Sequence, residues 1–283
     1  MTPALHNEDR VQRNNAEPLL TADPVFSFAF QPIADAAARA IVAWEALIRG
    51  PWDEPAWQVL NQVAPTRLHR FDQIARGQAV ALAARLGIDR PLHLNFLPRS
   101  LHAFPNTMLA TIEAANEARV LLERIVLEVP EADVIDDRPR LAGLLSEYRS
   151  LGIGLAIDDF GAAYASLSLL ADLEPDQVKL DMRLIRGIDR HPPRQALVRA
   201  ILQACADLHI HVIAEGVETP AEFAWLAAQN IRLFQGYLFA RPAFECFPPV
   251  HFPELAPGAE EPKRPAASAV QPERRMRSRR PRS

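Results

Sequence analysis

The stretch that decides the fold is GLAIDDFGAAYASL, residues 154–167. Its apolar run, Leu155 to Ile157, is typical of a buried strand, yet the run ends in two adjacent carboxylates, Asp158 and Asp159. Two like charges at the end of a buried strand are costly unless cations or hydrogen-bond donors face them. The stretch therefore predicts a strand that ends at a polar, cation-binding site.

Strand patterns recur along the chain and alternate with helical patterns. The strand candidates are 25–35, 40–50, 92–98, 124–131, 154–161, 177–182, 211–218 and 233–242. The predicted helices are 70–86, 138–150, 163–172, 194–208 and 220–229, with Gly87 and Gly152 as helix-ending residues. This alternation predicts βαβ units with parallel strands. Eight strands within about 220 residues predict an α/β fold, a TIM-like (β/α)8 barrel.

One strand is expected to depart from the ideal barrel. The connection between the first two candidates, residues 36–39, is too short for a crossover helix. Strands one and two are therefore predicted to be antiparallel.

Composition suggests one structured domain flanked by two irregular segments. We expect a flexible segment over 1–24, the barrel over 25–250, and a disordered Pro/Arg-rich basic tail over 251–283. From Pro257 onward the tail carries a net charge of +5, which leaves the rest of the 283-residue chain at −9. The tail is either simply solvated or contacts an anionic partner. The acidic body argues against polymeric nucleic acid as the substrate.

Other sequence features bear on location. No stretch approaches the roughly 18 uncharged apolar residues of a membrane span, and residues 1–15 lack the apolar region of a secretory signal. The two cysteines, Cys205 and Cys246, are isolated, which argues against a disulfide framework or a cysteine-ligated metal. We therefore expect a cytoplasmic protein without a membrane span.

Polar side chains follow the apolar run of nearly every predicted strand. They are Glu45, Asn95, Glu128, Asp158, Asp159, Lys179, Asp181, Glu215, Glu218 and Gln235. The carboxyl ends of parallel barrel strands converge on one mouth, where active sites are built. So many carboxylates in one cleft need cations, and a ligand set of oxygens suits Mg²⁺ or Mn²⁺. Two such ions about 3.5–4 Å apart are the usual apparatus of phosphodiester hydrolysis.

Seven short motifs also occur in the order that they have in one known protein family. They are WEALIR (44–49), LNFLP (94–98), LEVPE (127–131), IDDFGAAYASL (157–167), KLD (179–181), VIAEGVET (212–219) and QGYLFARP (235–242). Together they resemble the EAL-domain cyclic-di-GMP phosphodiesterases, over about residues 25–248. The resemblance implies an EAL-type barrel with one antiparallel strand. It also implies hydrolysis of the bacterial second messenger cyclic-di-GMP to linear pGpG by a water that two metal ions activate.

The resemblance assigns metal and catalytic roles residue by residue. Glu45, Asn95, Glu128 and Asp158 would bind the first Mg²⁺ or Mn²⁺, and Asp158, Asp159 and Glu215 the second. Lys179 would orient the attacking water and offset charge on the phosphate, and Gln235 would hold the water or a metal-bound group. The implied catalytic set is Lys179, Glu215, Asp159 and Gln235.

The resemblance also implies substrate contacts and loop supports. Arg49 would contact a phosphate, Gln31 would position the dinucleotide, and Leu47 and Pro242 would line the pocket. Phe239 is the best candidate for a guanine contact.

Three carboxylates are expected to support loops. Glu131 would pin the loop after Asp159, a loop that couples metal binding to dimerisation, and the family favours a homodimer. Asp181 would help to support the same rim. Glu218 would support Glu215 or cap the helix that follows Thr219.

Departures from the family pattern keep other functions open. Ala163 stands where the family loop has its second glycine, and it would cost about 1 kcal/mol or more if that position needs a positive φ. The alternative function is a non-catalytic cyclic-di-GMP receptor or partner-binding module. A metal-dependent barrel enzyme for a small enolisable acid would use the same ions but leaves the motif order unexplained.

Overall fold

A computed structural model describes residues 23–97, 108–134, 138–162 and 167–254. Within them the strands are β1 Ser27–Asp35, β2 Ala40–Arg49, β3 Leu92–Asn95, β4 Ile125–Pro130, β5 Gly154–Phe160, β6 Gln177–Leu180, β7 His211–Ala214, β8 Leu233–Phe234 and β9 Ala243–Phe244. Strands β2 to β8 pair in chain order and in parallel, and β1 closes the barrel between β8 and β2. The short β9 pairs with the first half of β1, at Ala29 and Phe30.

The antiparallel strand is β1. It pairs with β2 from Ser27 opposite Arg49 to Asp35 opposite Ala40, with one register irregularity. It is also antiparallel to β8. The predicted TIM-like (β/α)8 barrel with one antiparallel strand is therefore confirmed. The inversion follows from the short 36–39 connection, which forms a turn with Arg39 at φ 49°.

Helices cover the outside of the barrel. They are α1 Ala56–Leu60, α2 Leu68–Arg85, α3 Leu109–Ala118, α4 Arg138–Ser150, α5 Leu167–Leu173, α6 Met182–Ile185, α7 Pro192–Asp207 and α8 Pro220–Ala228. Four of the five predicted helices match α2, α4, α7 and α8 to within two residues at each end. The fifth, predicted over 163–172, is described only from Leu167, where α5 begins. Helices α1, α3 and α6 were not predicted.

The predicted eighth strand, 233–242, is much shorter in the structure. Strand β8 ends at Phe234, and the chain turns at Gly236, whose φ is +152°. A Cβ atom at Gly236 would collide with the backbone of Val217. The turn is held by hydrogen bonds from Val217 N to Gln235 O, 3.1 Å, and from Leu238 N to Val217 O, 3.1 Å. The glycine therefore lets Gln235 and the following loop pack against the segment after β7.

The apolar core has two parts. The large one lies between the sheet and the helices, and the small one comprises Ile33, Ala43 and Ile213. These three residues lie toward the end of the barrel where the parallel strands begin. The polar cluster described below lies toward the opposite, carboxyl end.

Phe239 belongs to the core, so its predicted guanine contact is wrong. The side chain is 1% exposed, and its ring stacks on Phe234 with centroids 5.6 Å apart and planes 15° apart. Its other ring neighbours are Phe223 and Phe252. The apolar loop that carries Phe239 buries the ring because the ring has no polar atom to present to water.

Several expectations concern parts of the chain that the structure does not describe. Residues 1–22, Ala163 and the basic tail from Pro257 lie outside the described ranges. No helix among the described residues is long and apolar enough to cross a bilayer.

Replacing Phe239 tests its assignment to the core. We expect Phe239→Ala to lower the free energy of unfolding by about 3–5 kcal/mol, because it empties a packed aromatic site. Trp52→Ala is the matched control: Trp52 is 86% exposed, and its loss should change stability by less than about 0.5 kcal/mol. Urea denaturation followed by circular dichroism measures both. Equal effects would contradict the core assignment.

Candidate active site

A buried ammonium lies at the centre of the polar cluster. Lys179 is 0% exposed on β6, and its Nζ is surrounded by four carboxylates. The distances are 2.7 Å to Glu215 Oε1, 2.8 Å to Glu128 Oε1, 3.2 Å to Glu45 Oε2 and 3.3 Å to Asp158 Oδ1. The structure thus brings together charged residues that are separated by up to 170 positions in the chain.

The barrel's register explains why these side chains meet. Residues two apart on a strand share a face, and pairing sets their height. Glu45 lies opposite Gln31 on β1, Asn95 opposite Glu128 on β4, and Asp158 opposite Pro130. Glu215 follows directly after β7. All of these positions lie at the carboxyl ends of the parallel strands, as the sequence analysis predicts.

Asp158 and Asp159 share one mouth because β5 is irregular there. Its pairing with β6 shifts between Ile157 and Phe160, and Asp159 adopts a left-handed φ of 54°. A regular strand would send the two side chains to opposite faces. Instead, Asp158, Asp159 and Glu215 each offer an oxygen atom within 4.8 Å of the other two.

Gln235 links Glu45 to Gln31 through two hydrogen bonds. Gln235 Nε2 donates a hydrogen bond to Glu45 Oε2 at 2.6 Å and another to Gln31 Oε1 at 3.3 Å. Gln31 Nε2 donates to the backbone oxygen of Ala240 at 3.1 Å. Both glutamines are buried. They therefore fix the carboxylate of Glu45 and tie the loop after β8 to β1.

Burial disfavours the ionised form of these carboxyl groups. It raises the pKa of Glu45 and of Glu128 to about 7, that of Asp159 to about 6, and that of Glu215 well above its ordinary value. For Asp159 the neighbouring charge of Asp158 adds to the effect. Burial alone would lower the pKa of Lys179, but the surrounding carboxylates hold it well above its usual range. Lys179 therefore stays an ammonium.

The donor set fits divalent cations. Five carboxylates, those named around Lys179 together with Asp159, face one ammonium. When all are ionised, the excess of four negative charges equals the charge of two divalent cations. Glu128 Oε2 is buried and receives no hydrogen bond from the described residues. Carboxylate oxygens with free lone pairs and no sulfur suit hard cations.

A cavity of about 320 Å³ lies beside the carboxylates. Its polar end is formed by Glu45, Asn95 and Asp158, and Leu47 and Phe71 are among its apolar walls. Of the predicted substrate-binding residues, Leu47 therefore lines a pocket next to the candidate metal ligands. Asn95 is itself exposed at the end of β3.

Arg49 and Pro242 lie outside this cavity. Arg49 Nη1 donates to the backbone oxygen of Ile48 at 2.8 Å, and Arg49 Nε lies 3.6 Å from Asp53 Oδ1. Asp53 is largely exposed, so this ion pair holds the guanidinium weakly. Pro242 is half-buried after the β8 loop.

The three predicted supporting carboxylates differ in what they contact. Glu131 Oε2 accepts a hydrogen bond from the backbone of Gly161 at 3.0 Å, in the loop after Asp159. Asp181 caps α6 by accepting from Arg183 N at 2.6 Å. Glu218 pairs with Arg186 at the surface, 2.6 Å apart.

Helix α8 is not capped by Glu218. Its N-cap is Thr219, which forms a capping box with Glu222. Capping by Glu218 is therefore wrong, because Thr219 has a hydroxyl at the cap position and Glu222 returns the bond three residues later. Glu222 also accepts a hydrogen bond from Gly187 N at 2.8 Å.

Sequence reasoning missed His93 and the Asp72–Arg76 pair. His93 Nδ1 lies 2.8 Å from Glu128 Oε1 inside the barrel. Asp72 and Arg76 form a buried ion pair, Arg76 donates to Thr111 Oγ1 at 3.2 Å, and both charged residues line the cavity. The signal for His93 was its place two residues before Asn95 on the same strand face. For Asp72 and Arg76 it was their i, i+4 spacing on a predicted helix.

A comparison with models of protein families identifies the family of this chain. A family model described as the EAL domain matches residues 14–242. The chain belongs to the EAL-domain family. The match spans most of the chain and includes every candidate metal ligand named above.

Curated relatives of this EAL domain carry two kinds of name. The blue light- and temperature-regulated antirepressor BluF of Escherichia coli K12 is 33% identical over 80% of this chain and 57% of its own length. The probable cyclic di-GMP phosphodiesterase PdeN of the same strain is 28% identical over 77% of this chain and 43% of its own. The chain thus spans about half the length of these curated relatives.

Solved EAL structures resemble the barrel closely. A standalone EAL protein of Vibrio cholerae O395, in a c-di-GMP-bound form, is 42% identical with a TM-score of 0.78, covering 81% of this chain and 97% of that one. BlrP1 of Klebsiella pneumoniae, in a complex with manganese and cyclic diGMP, is 37% identical with a TM-score of 0.76, covering 78% and 57%. Both proteins hold the dinucleotide, and BlrP1 also holds a divalent metal.

The raised pKa values of the acidic cluster predict how metal and pH affect stability. The folded protein without metal holds protons on Glu45 and Glu128 up to about pH 7, whereas the unfolded chain releases them near 4.5. The free energy of unfolding should therefore fall as pH rises through this interval. We expect the metal-free protein to have a lower Tm at pH 8 than at pH 6, and Mn²⁺ to raise Tm more at pH 8.

The control for this measurement is the double variant Glu45→Gln, Glu128→Gln. It lacks two of the four carboxyl groups of the acidic cluster whose pKa is raised, so its metal-free Tm should vary less between pH 6 and pH 8 than that of the wild type. Scanning calorimetry with and without a chelator measures all four conditions. A wild-type Tm that rises with pH in the absence of metal would contradict the prediction.

Proposed function

We propose that this EAL domain hydrolyses one phosphodiester bond of cyclic-di-GMP to give linear pGpG, with Mg²⁺ or Mn²⁺ as cofactor. The observation that carries the proposal is the complete oxygen-ligand cluster around the Lys179 ammonium. A structural ion pair would need one carboxylate for one ammonium. This cluster has five carboxylates for one ammonium, an excess of four negative charges when all are ionised. The relatives named as cyclic di-GMP phosphodiesterases support the choice of substrate.

The proposed metal ligands divide into two sets that share one carboxylate. Glu45, Asn95, Glu128 and Asp158 would hold one cation, and Asp158, Asp159 and Glu215 the other. When bound, the two cations would neutralise the cluster and supply a water of lowered pKa for attack on phosphorus. The free oxygen of Glu128, Oε2, supports this assignment.

Lys179 would act through its fixed positive charge. The ammonium is already oriented by four carboxylates and buried away from water, so little reorganisation is needed when negative charge develops on the phosphate. A preorganised charge of this kind stabilises a transition state more than a mobile surface charge does. Gln235 would hold Glu45 in place from the other side through its 2.6 Å hydrogen bond.

The dinucleotide would lie across the mouth above these groups. Among the described residues, Arg49 contacts its own strand's backbone and exposed Asp53, so its guanidinium can turn to a ligand phosphate. Leu47 would contact a base from the cavity wall, and Gln31 and Pro242 would complete the binding surface. We further propose a homodimer in which the loop held by Glu131 transmits assembly to Asp159.

A second candidate function is a regulatory module that binds cyclic-di-GMP or a protein without cleaving it. The observation in its favour is the 33% identity to a protein named as an antirepressor. Binding of the dinucleotide with Mn²⁺ present, but without turnover, would favour this candidate.

The proposed reaction is tested by incubating purified protein with cyclic-di-GMP and Mg²⁺ or Mn²⁺ and separating the products by chromatography. We expect pGpG from the wild type. Asp158→Asn and Lys179→Met should each reduce the rate at least about 100-fold, because each removes a charge that acts directly on the cations or the phosphate.

The matched control is Glu117→Gln, which removes an exposed carboxylate from α3 and should keep the wild-type rate. Intact cyclic-di-GMP after incubation of the wild type with either metal would reject the proposed reaction. Full activity in Asp158→Asn would reject the assigned site even if pGpG forms.

A further inference from the structure

We propose that His93 is a positioning residue for the metal site, one that occupies Glu128 Oε1 and leaves Glu128 Oε2 as the oxygen that binds a cation. This inference rests on the proposed function only in that it takes Glu128 as a metal ligand. No motif of the sequence analysis includes His93, and its role follows from contacts within the barrel.

His93 lies in the interior of the barrel beneath the mouth. Its side chain is 0% exposed on β3, opposite Glu45 in the pairing with β2. It precedes Asn95 by two residues, so both side chains point to the same face of the strand. His93 therefore lies one layer below Asn95 and cannot itself reach the solvent or a dinucleotide.

Glu128 Oε1 has two donors. His93 Nδ1 lies 2.8 Å from it, and Lys179 Nζ lies 2.8 Å from the same atom. A carboxylate oxygen has two lone pairs, so these two contacts fill Oε1. The other oxygen, Oε2, is buried and receives no hydrogen bond within the described residues. A cation approaching Glu128 thus finds free lone pairs on one oxygen only.

The contact between His93 and Glu128 has a defined direction when a cation is bound. An ionised carboxylate oxygen only accepts, so the ring then donates from Nδ1 to Glu128 Oε1. Nε2 is buried and has no partner among the described residues. The imidazole is therefore held by one directed bond, and that bond orients the carboxylate. Without it the terminal torsion of Glu128, which has broad minima, would be set by Lys179 alone.

Manganese binding to the protein without nucleotide tests the role separately from turnover. Free Mn²⁺ is measured by electron paramagnetic resonance for the wild type, His93→Leu and His93→Asn. We expect His93→Leu to weaken Mn²⁺ binding about 10–100-fold, the usual cost of losing a group that orients a metal ligand. His93→Asn should retain most of the affinity, because its amide nitrogen occupies nearly the position of Nδ1.

Activity measured against Mn²⁺ concentration provides a second readout. A positioning role predicts that His93→Leu regains much of the wild-type rate at saturating Mn²⁺, whereas a merely structural role predicts no such recovery. His211→Leu is the matched control, since His211 is exposed at the start of β7, at the opposite end of the barrel. It should bind Mn²⁺ as the wild type does.

The outcomes separate this inference from the proposed function. Equal Mn²⁺ affinity in the wild type and His93→Leu would overturn the role of His93 while leaving the hydrolysis intact. A wild type that binds no Mn²⁺ would overturn both. If His93→Leu does not fold, His93→Gln replaces it: its amide lies one bond further out, so it should bind Mn²⁺ more weakly than His93→Asn, and equal affinities would reject the proposal.

Discussion

The contact on which the whole site depends is the one between the Lys179 ammonium and its four carboxylates. Desolvated charges are stable only when they are paired and oriented. One ammonium pairs with part of this cluster and leaves a negative excess that the folded chain holds by keeping protons. The two divalent cations proposed for the site would neutralise the same excess. The acidic cluster that lowers the stability of the metal-free fold is therefore the one that the proposed chemistry needs.

The two ends of the barrel differ in the side chains that fill the interior. Apolar side chains, including Ile33 and Ile213, fill the interior where the parallel strands begin, and charged side chains fill it where they end. The irregularity in β5 is confined to the second region, where it turns Asp159 toward its neighbour. Buried charge is thus concentrated at the mouth, and apolar packing fills the opposite end.

Much of the fold and of the site could be predicted from the sequence, because a polar residue after an apolar run marks the end of a strand. Carboxylates after apolar runs indicated the barrel and its mouth, and the short 36–39 connection indicated the inverted strand. Two predictions failed for a shared reason. The length of β8 and the position of Phe239 depend on how the loop after Gln235 packs against Val217, a tertiary contact that no local pattern encodes. His93 was missed because its signal, a place two residues before Asn95 on the same strand face, is also that of an ordinary buried histidine.

The reversal of β1 has a consequence for how the domain connects to other parts of a polypeptide. Because Ser27 pairs with Arg49 and not with Ala40, the chain enters the barrel beside the rim that bears the carboxylates. In an all-parallel barrel it would enter at the far end, about one strand length away. A domain fused upstream would therefore join the barrel on the side of the rim that bears the carboxylates.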